Sequence, residues 1–171
     1  DHGEGLKDHR EEEHGIFLYR EAVQVPLIMR LPGGARAGTR IGGTVGQVDI
    51  PATLVDLAGL PPQGMDGASL RPALAAGTAA SKPVYSETLF PRYHFGWSDL
   101  YAVTDGRFRY VRAPRPELFD LATDPGERRP LACTGPFAEL VELAHDHRDR
   151  QRRLLLDYNA ACKARLPFAG L

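Results

Sequence analysis

Short runs of aromatic and β-branched residues alternate with turn residues between positions 83 and 121, and this pattern constrains the fold most. Asp105-Gly106 lies between two of these runs and is a strong signal for a tight hairpin. Tyr, Phe and Val are the residue types that strands favour. The sequence therefore predicts a small antiparallel sheet with four strands, at Pro83–Glu87, Leu100–Thr104, Phe108–Arg112 and Glu117–Leu121.

Helical patterns lie on both sides of the predicted sheet. Val48–Ala58 has an apolar side, with Asp49 as a plausible N-cap and Gly59 as a stop signal. Ser69–Ala76 predicts a second, short helix. Apolar residues recur at helical spacing from position 137 to position 158, although a charged run at 145–153 interrupts them. The chain is thus expected to end in a helix that packs near the sheet.

The segment before residue 78 has a different character. Val25–Leu31 is a compact apolar run that is closed by Pro32-Gly33-Gly34, which predicts a buried strand, and Thr39–Val45 is a weaker strand candidate. We therefore expect an α/β fold in which residues 1–77 form the end of a layered domain with a mostly parallel sheet. Residues 78–171 are expected to form the antiparallel subdomain with its terminal helix.

Composition excludes several classes of protein. The chain has 171 residues, of which 43% are hydrophobic and 25% charged, as in one folded domain or a large piece of one. With 21 basic and 22 acidic residues, it has no charge excess that would favour nucleic acid. No apolar run approaches the roughly 20 residues of a membrane-spanning helix. Cys133 and Cys162 form neither a disulfide framework nor a C-x-x-C zinc motif.

The residues best suited to chemistry lie near the start of the chain. In Asp1-His2-Gly3-Glu4, a carboxylate and an imidazole stand side by side and can reach one divalent cation, while a solvated terminal turn is the alternative. His14, beside Gly15, can hydrogen-bond an anionic substrate or protonate a leaving group. His9 and the glutamates at 11–13 are interpreted as a solvated surface.

Several short segments of the chain, taken in order, resemble the second metal-binding segment and the C-terminal part of sulfatases in the alkaline phosphatase superfamily. The resemblance covers about residues 1–130, and the order and spacing of the blocks carry it. The matching segments are Asp1-His2-Gly3-Glu4, His14-Gly15, Val25-Pro26-Leu27-Ile28, Val48–Leu54, Asp66–Leu70, Asp105–Val111 and Glu117–Leu121. The fold implied is the end of an alkaline-phosphatase-like layered domain, followed by a small antiparallel sheet and a C-terminal helix.

The resemblance also implies roles for individual residues. Asp1 and His2 match metal ligands, with calcium or magnesium as the cation, and His14 matches a residue that contacts the sulfate group or its leaving oxygen. His94 lies in a segment that resembles one near the site entrance, so it is a candidate substrate contact; a histidine satisfied within an aromatic cluster is the alternative. Lys7 and Arg10 depart from the family by standing where many relatives have glycine.

The family's nucleophile is absent from these residues. Sulfatases convert a Cys or Ser in a C/S-x-P/A-x-R signature to formylglycine, and neither Cys133 nor Cys162 lies in that pattern. Both cysteines are interpreted as structural thiols. Two ligands also cannot complete the shell of a hard cation. We therefore expect a fragment of a sulfuric ester hydrolase, inactive by itself, whose partners are a small-molecule or sugar sulfate ester and the missing N-terminal part.

Several alternatives stay open on the sequence alone. A phosphoesterase or phosphoethanolamine transferase of the same superfamily would use similar residues, because sulfate and phosphate esters are both tetrahedral anions. A non-catalytic binding module would use the basic residues of the last helix, Arg148, Arg150, Arg152 and Arg153. A missing strand would leave apolar surface uncovered, which suggests a homodimer. The substrate, the cation and the cellular compartment are left undetermined.

Overall fold

The computed structural model describes residues 1–79, 82–132 and 138–165, with side chains given up to 154 and at 156–157 in the last helix. Its helices are α1 (Arg20–Val23), α2 (Asp49–Leu57), α3 (Arg71–Ala76), α4 (Phe90–Phe95) and α5 (Ala138–Arg165). Its strands are β1 (Val84–Thr88), β2 (Leu100–Thr104), β3 (Phe108–Arg112) and β4 (Glu117–Asp120). All four predicted strands of the antiparallel sheet are therefore present, within one or two residues of their predicted bounds.

The four strands form one antiparallel sheet in the order β1-β2-β3-β4. The hairpin between β2 and β3 forms at the predicted position. Gly106 has a φ of 101°, a conformation that favours glycine. The Asp105 carboxylate accepts a hydrogen bond from the Phe108 backbone N–H at 2.7 Å, which fixes the turn. Local turn chemistry therefore sets the register of this pair, in which Thr104 faces Arg109.

Each face of the sheet is covered by a different part of the chain. On one face, α5 places Leu140 and Ala144 against the strands, in a buried cluster with Tyr101, Val103, Tyr110 and Leu118. On the other face, Leu18 joins a second buried cluster, formed with Leu100, Ala102, Val111 and Phe119. The alternation of side chains along each strand produces these two cores. The second core holds the N-terminal segment on the sheet, and this contact positions the candidate site.

A buried ion pair reinforces the contact between the N-terminal segment and the sheet. Arg109 Nε lies 3.1 Å from Glu127 Oε1, and the two side chains are almost fully buried. Arg109 also donates to the Leu18 carbonyl, and Glu127 Oε2 accepts the Arg20 backbone N–H at 2.5 Å. Burial lowers the pKa of Arg109 and raises the pKa of Glu127. The pair thus links β3, the loop after β4 and the segment at 18–20.

The two strand predictions before residue 78 are wrong in this chain. Val25–Leu31 and Thr39–Val45 contain no strand. Leu27 is 42% exposed and Ile28 is 87% exposed, so the apolar run lies on the surface instead of in a core. A strand requires a hydrogen-bonded neighbour, and within the described residues no strand pairs with this segment. The division at residues 77 and 78 stays a prediction.

The helix predictions are largely correct, with one local error. α2 and α3 form where expected, and Gly59 and Gly77 follow them with φ values of 78° and 79°. Asp49 does not cap α2; its buried carboxylate instead accepts backbone N–H groups from Gly46 at 3.1 Å and Ala68 at 2.8 Å. It therefore joins the turn before α2 to the loop after it.

The short helix α4 was not predicted from the sequence. It lies between β1 and β2, with Pro91 in its first turn and Gly96, in a left-handed conformation, at its end. In the last helix, Cys162 has no described side chain, and Cys133 lies outside the described residues, so the interpretation of both as structural thiols stays a prediction. Among the described helices, none is both long enough and apolar enough to cross a lipid bilayer.

Candidate functional site

The first residues of the chain are held in place by backbone hydrogen bonds to α1. Gly3 donates to the Ala22 carbonyl at 2.8 Å, and Glu4 donates to the Glu21 carbonyl at 3.1 Å. A Cβ atom on Gly3 would lie 1.9 Å from the Glu21 oxygen, so only glycine fits. Glycine at position 3 is thus required by the close approach of this segment to α1. Asp1 and His2 therefore start from a fixed anchor.

Four predicted or neighbouring polar side chains meet at this point. The imidazole rings of His2 and His14 stack with centroids 3.7 Å apart and an interplanar angle of 24°. His2 Nε2 lies 3.7 Å from Asp1 Oδ1, and His14 Nδ1 lies 3.2 Å from Glu4 Oε1. His2 Nδ1 donates to the Gly3 carbonyl at 2.8 Å, so Nε2 is the nitrogen left to act as a ligand. The fold thus brings both ends of the loop together.

The cluster is open to solvent on one side. The Asp1 side chain is 93% exposed, and those of His2, Glu4 and His14 are between 41% and 48% exposed. Gln47, from the turn before α2, donates a hydrogen bond to the Asp1 carbonyl. The side chains are therefore accessible to a ligand, while the backbone that carries them is tied down.

The two donors Asp1 and His2 fit a small part of the shell of a hard cation. Ca²⁺ binds ligands at about 2.3–2.6 Å, so two adjacent ligands of one ion lie roughly 3.3–3.7 Å apart. The 3.7 Å between Asp1 Oδ1 and His2 Nε2 agrees with that separation. Within the described ranges, no group of three or more His, Cys, Asp or Glu side chains is arranged to hold a metal ion. Further ligands would have to come from outside these residues.

The loop that connects Glu4 to His14 is built on unusual backbone conformations. Leu6, Lys7, His9 and Arg10 all have positive φ values, between 48° and 74°. Lys7 and Arg10 are the two positions where the sequence departs from the family's glycines. The loop therefore keeps a left-handed backbone there despite the side chains, at a cost in free energy.

His9 and Glu11 were interpreted as solvated, and both interpretations are wrong. His9 is partly buried: its Nδ1 lies 2.6 Å from Glu21, and its ring stacks on Tyr19 at 3.8 Å. Burial opposes its charge, but the contacts with Glu21 and Glu127 outweigh this effect and raise the pKa of His9.

Glu11 is buried for a related reason. Its carboxylate accepts backbone N–H groups from Ile16 at 2.7 Å and Phe17 at 3.1 Å. A run of three glutamates in sequence gives no hint that the first one turns inward. The inward position of Glu11 follows from the backbone N–H groups of Ile16 and Phe17. Buried N–H groups need an acceptor, and the Glu11 carboxylate supplies it.

His94 lies on α4, which begins beside the loop that carries His14. Its ring stacks on Phe90 at 3.8 Å, and its Nδ1 lies 3.1 Å from the Phe90 carbonyl oxygen. Thr88 donates to the Gly15 carbonyl at 2.5 Å, which places the start of α4 beside the loop that carries His14. His94 is therefore exposed and within an aromatic cluster, and its contact with substrate stays a prediction.

The sequence of the chain is similar to that of known sulfatases. A family model described as N-sulphoglucosamine sulphohydrolase, C-terminal, matches residues 12–153. Arylsulfatase K from Rattus norvegicus is 29% identical over 92% of this chain, and Delta 4,5-hexuronate-2-O-sulfatase from Bacteroides thetaiotaomicron is 30% identical over 98% of it. The matches cover 29% and 38%, respectively, of those relatives' own lengths.

Solved structures give the same assignment of the fold. A protein bound to its substrate D-glucosamine-2-N,6-O-disulfate superposes on 89% of this chain with a TM-score of 0.72 at 24% identity, which shows the fold alone. A 2-O GAG sulfatase superposes on 95% of the chain with a TM-score of 0.58 at 28% identity. The chain belongs to the N-sulphoglucosamine sulphohydrolase C-terminal family, which confirms the resemblance to sulfatases and the predicted fold class.

Proposed function

We propose that this chain is the C-terminal part of a metal-dependent sulfatase that hydrolyses sulfate esters, with sulfated sugars as the substrate class. The named relatives are sulfatases, and two of the related proteins are named for sulfated sugars, as a hexuronate-2-O-sulfatase and a 2-O GAG sulfatase. One observation in this chain carries the proposal. Asp1, His2 and His14 converge on one accessible point, with the two histidine rings 3.7 Å apart.

Each of the three residues has a chemical role in this proposal. Asp1 Oδ1 and His2 Nε2 would hold calcium or magnesium, which supplies positive charge that stabilises the developing anion during ester cleavage. A formylglycine carried by the preceding part of the protein would supply the nucleophile. His14 directs Nδ1 at Glu4, so in its protonated form it would donate from Nε2 either a hydrogen bond to the sulfate group or a proton to the leaving oxygen.

The isolated 171-residue chain is expected to be inactive. The chain holds two of the ligands that a hard cation needs, and neither of its cysteines lies in the formylglycine signature. Its partner would then be the preceding part of the same protein. Purified chain should release no sulfate from an aryl sulfate above the blank rate, and metal-dependent release would overturn this part of the proposal.

The test of the function uses the full-length protein that contains this chain. Sulfate release from an aryl sulfate and from a sulfated hexosamine should be abolished by a chelator and restored by calcium or magnesium. Asp1→Asn and His2→Gln should each lower the rate about 100-fold or more, since even outer-shell changes at metal sites cost 10–100-fold. Asp146→Asn, an exposed carboxylate on α5, serves as the matched control and should leave the rate unchanged.

The same assay separates the two ester classes. Faster hydrolysis of the matching phosphate ester than of the sulfate ester would overturn the sulfatase proposal in favour of a phosphoesterase. A full-length protein that hydrolyses neither ester would overturn both.

Among the described side chains, the arginines of α5 do not form a free basic surface that would support a role as a polyanion-binding module. Arg150 pairs with Asp66 at 3.2 Å, Arg152 pairs with Asp99 at 2.5 Å, and Arg148 pairs with Asp149 at 2.6 Å. Two of these pairs attach α5 to other parts of the chain. Their charge is therefore largely neutralised within the molecule, which leaves little net positive potential for a polyanion.

A further inference from the structure

A cluster of exposed aromatic rings lies beside the loop that carries His14. We define the aromatic shelf as Phe90, His94, Phe95 and Trp97, on α4 and just after it. Phe90 is 40% exposed, Phe95 49% and Trp97 60%. A contiguous patch of exposed apolar side chains is a candidate binding surface. Packing within the described residues leaves the shelf uncovered.

The rings of the shelf contact one another in a continuous series. His94 stacks on Phe90 with centroids 3.8 Å apart, and Phe95 meets Phe90 edge-on at 5.9 Å. Phe95 and Trp97 lie 4.9 Å apart with an interplanar angle of 38°. The series begins next to the candidate site, because a Cβ on Gly15 would lie 3.8 Å from Phe90 Cγ.

The backbone after α4 holds Trp97 in position. Gly96 has a φ of 67° and donates to the Arg92 carbonyl at 3.1 Å, and the Trp97 N–H donates to the Pro91 carbonyl at 3.1 Å. Pro91 itself is buried, so this turn is anchored to the interior. A backbone that is already fixed loses little further conformational entropy when a ligand stacks on the ring it carries. The backbone of the shelf is thus preorganised, and the faces of its rings are open to solvent.

We propose that the aromatic shelf binds the sugar ring of the substrate, as a subsite adjacent to the residues that handle the sulfate group. The apolar C–H face of a pyranose suits the electron-rich face of Trp97 or Phe95. Exposed Arg92 on the same helix suits the negative charge of a sulfated sugar. This inference rests on the proposed function, because the sugar class is taken from it, and it adds the residues that select the sugar.

The test measures binding rather than turnover, in the full-length protein. Calorimetric titration would use unsulfated parent sugars of the hexosamine and hexuronate classes, which cannot be hydrolysed, with inorganic sulfate as a second probe. Trp97→Ala and Phe95→Ala should each weaken sugar affinity by about 2- to 12-fold, and Trp97→Phe should retain most of it. Sulfate affinity should not change in any of these variants.

Tyr93→Ala is the matched control. Tyr93 is a 70% exposed aromatic on the same helix, lies outside the shelf as defined above, and should affect neither ligand when replaced. Thermal unfolding of each variant would show that the fold is intact.

The outcomes separate this inference from the proposed function. Unchanged sugar affinity in both alanine variants, or no saturable binding of any sugar, would overturn the shelf even if the protein hydrolyses sulfate esters. Loss of sugar affinity in a protein that hydrolyses no sulfate ester would support the shelf and overturn the function.

Discussion

Individual residues in the loop near the candidate site adopt conformations that their side chains disfavour. Arg10 has a φ of 66° and Lys7 a φ of 74°, where L-residues other than glycine lose roughly 1–2 kcal/mol. These left-handed residues lie in the loop between Glu4 and His14, which brings the His14 ring onto His2. Strain of this kind persists at functional sites, where the surrounding structure fixes it.

Replacing Arg10 by glycine should stabilise the chain. Relief of the left-handed strain exceeds the roughly 0.5–1 kcal/mol of chain entropy that glycine adds to the unfolded state, which leaves a gain of about 0.5–1 kcal/mol. Chemical denaturation of the 171-residue chain would measure this gain. Glu12→Gly is the control, since Glu12 is exposed and outside the positive-φ set, and it should lower stability. A loss of stability in Arg10→Gly would show that the strain is absent.

His9 should make the stability of the chain depend on pH. Its contacts with Glu21 and Glu127 raise its pKa above the ordinary value of 6.5, so the folded state holds the proton more tightly than the unfolded chain. This stabilisation is complete below pH 6.5 and is lost as the pH rises through the folded-state pKa. The free energy of unfolding, measured by denaturant titration, should therefore fall as the pH rises above 6.5.

The variant His9→Gln isolates this effect. It should flatten the pH dependence over that range, whereas His94→Gln, which removes an exposed imidazole, should preserve it. A wild-type chain whose stability rises over the same range would contradict the assignment.

The antiparallel sheet and the last helix were predictable from local sequence patterns. The conformation of the segment before the sheet was not predictable in this way. Asp105-Gly106 fixes a hairpin by its own turn geometry, and the apolar residues in the first turns of α5, including Leu140 and Ala144, face one side of the sheet. Val25–Leu31 has the composition of a strand but has no neighbouring strand to pair with among the described elements. A strand depends on a partner that can be distant in sequence, so its residues alone do not determine it.

Packing of α5 against the sheet should contribute most of that helix's stability. Leu140 is 8% exposed and joins the cluster with Tyr101, Val103 and Leu118, so Leu140→Ala should cost about 2–5 kcal/mol through lost burial and a residual cavity. The same change at Leu156, 67% exposed on the same helix, should cost less than about 0.5 kcal/mol. Equilibrium denaturation would compare the two variants, and equal costs would contradict this packing.

At the scale of the whole molecule, the chain exposes apolar surface that its own described residues do not cover. Leu54 and Leu57 on α2 are 61% and 40% exposed, and Leu60, just after the helix, is 60% exposed. We predict that the isolated 171-residue chain associates with itself at high concentration, because burying such surface is favourable. Light scattering should show a dimer or larger species, and a clean monomer would contradict the prediction.

Two variants would locate the associating surface. Leu54→Glu should shift the chain towards monomer by placing a charge within the apolar face of α2. Gln151→Glu adds the same charge at an exposed position of α5 without removing apolar surface, so it should leave the association unchanged.

The candidate site was predictable only in part. Asp1, His2 and His14 were selected from their residue types and family pattern, and the structure brings their side chains together. The contributions of Glu4, His9 and Glu11 were missed, because each depends on a partner from another segment: His14, Glu21 and the backbone at Ile16. A charged side chain looks the same in sequence whether it is solvated or paired.

The sequence by itself determined the antiparallel sheet, the helices α2, α3 and α5, and the membership in a sulfatase family. Those features depend on local turns, on periodicity and on ordered motifs, all of which are written along the chain. The tertiary structure alone decided that the N-terminal segment packs on the second face of the sheet through Leu18 and the Arg109–Glu127 pair. It also decided that Phe90, at the start of α4, lies beside Gly15 in the loop that carries His14. These are contacts between residues far apart in sequence, and their energies arise only when the fold has closed the loops between them.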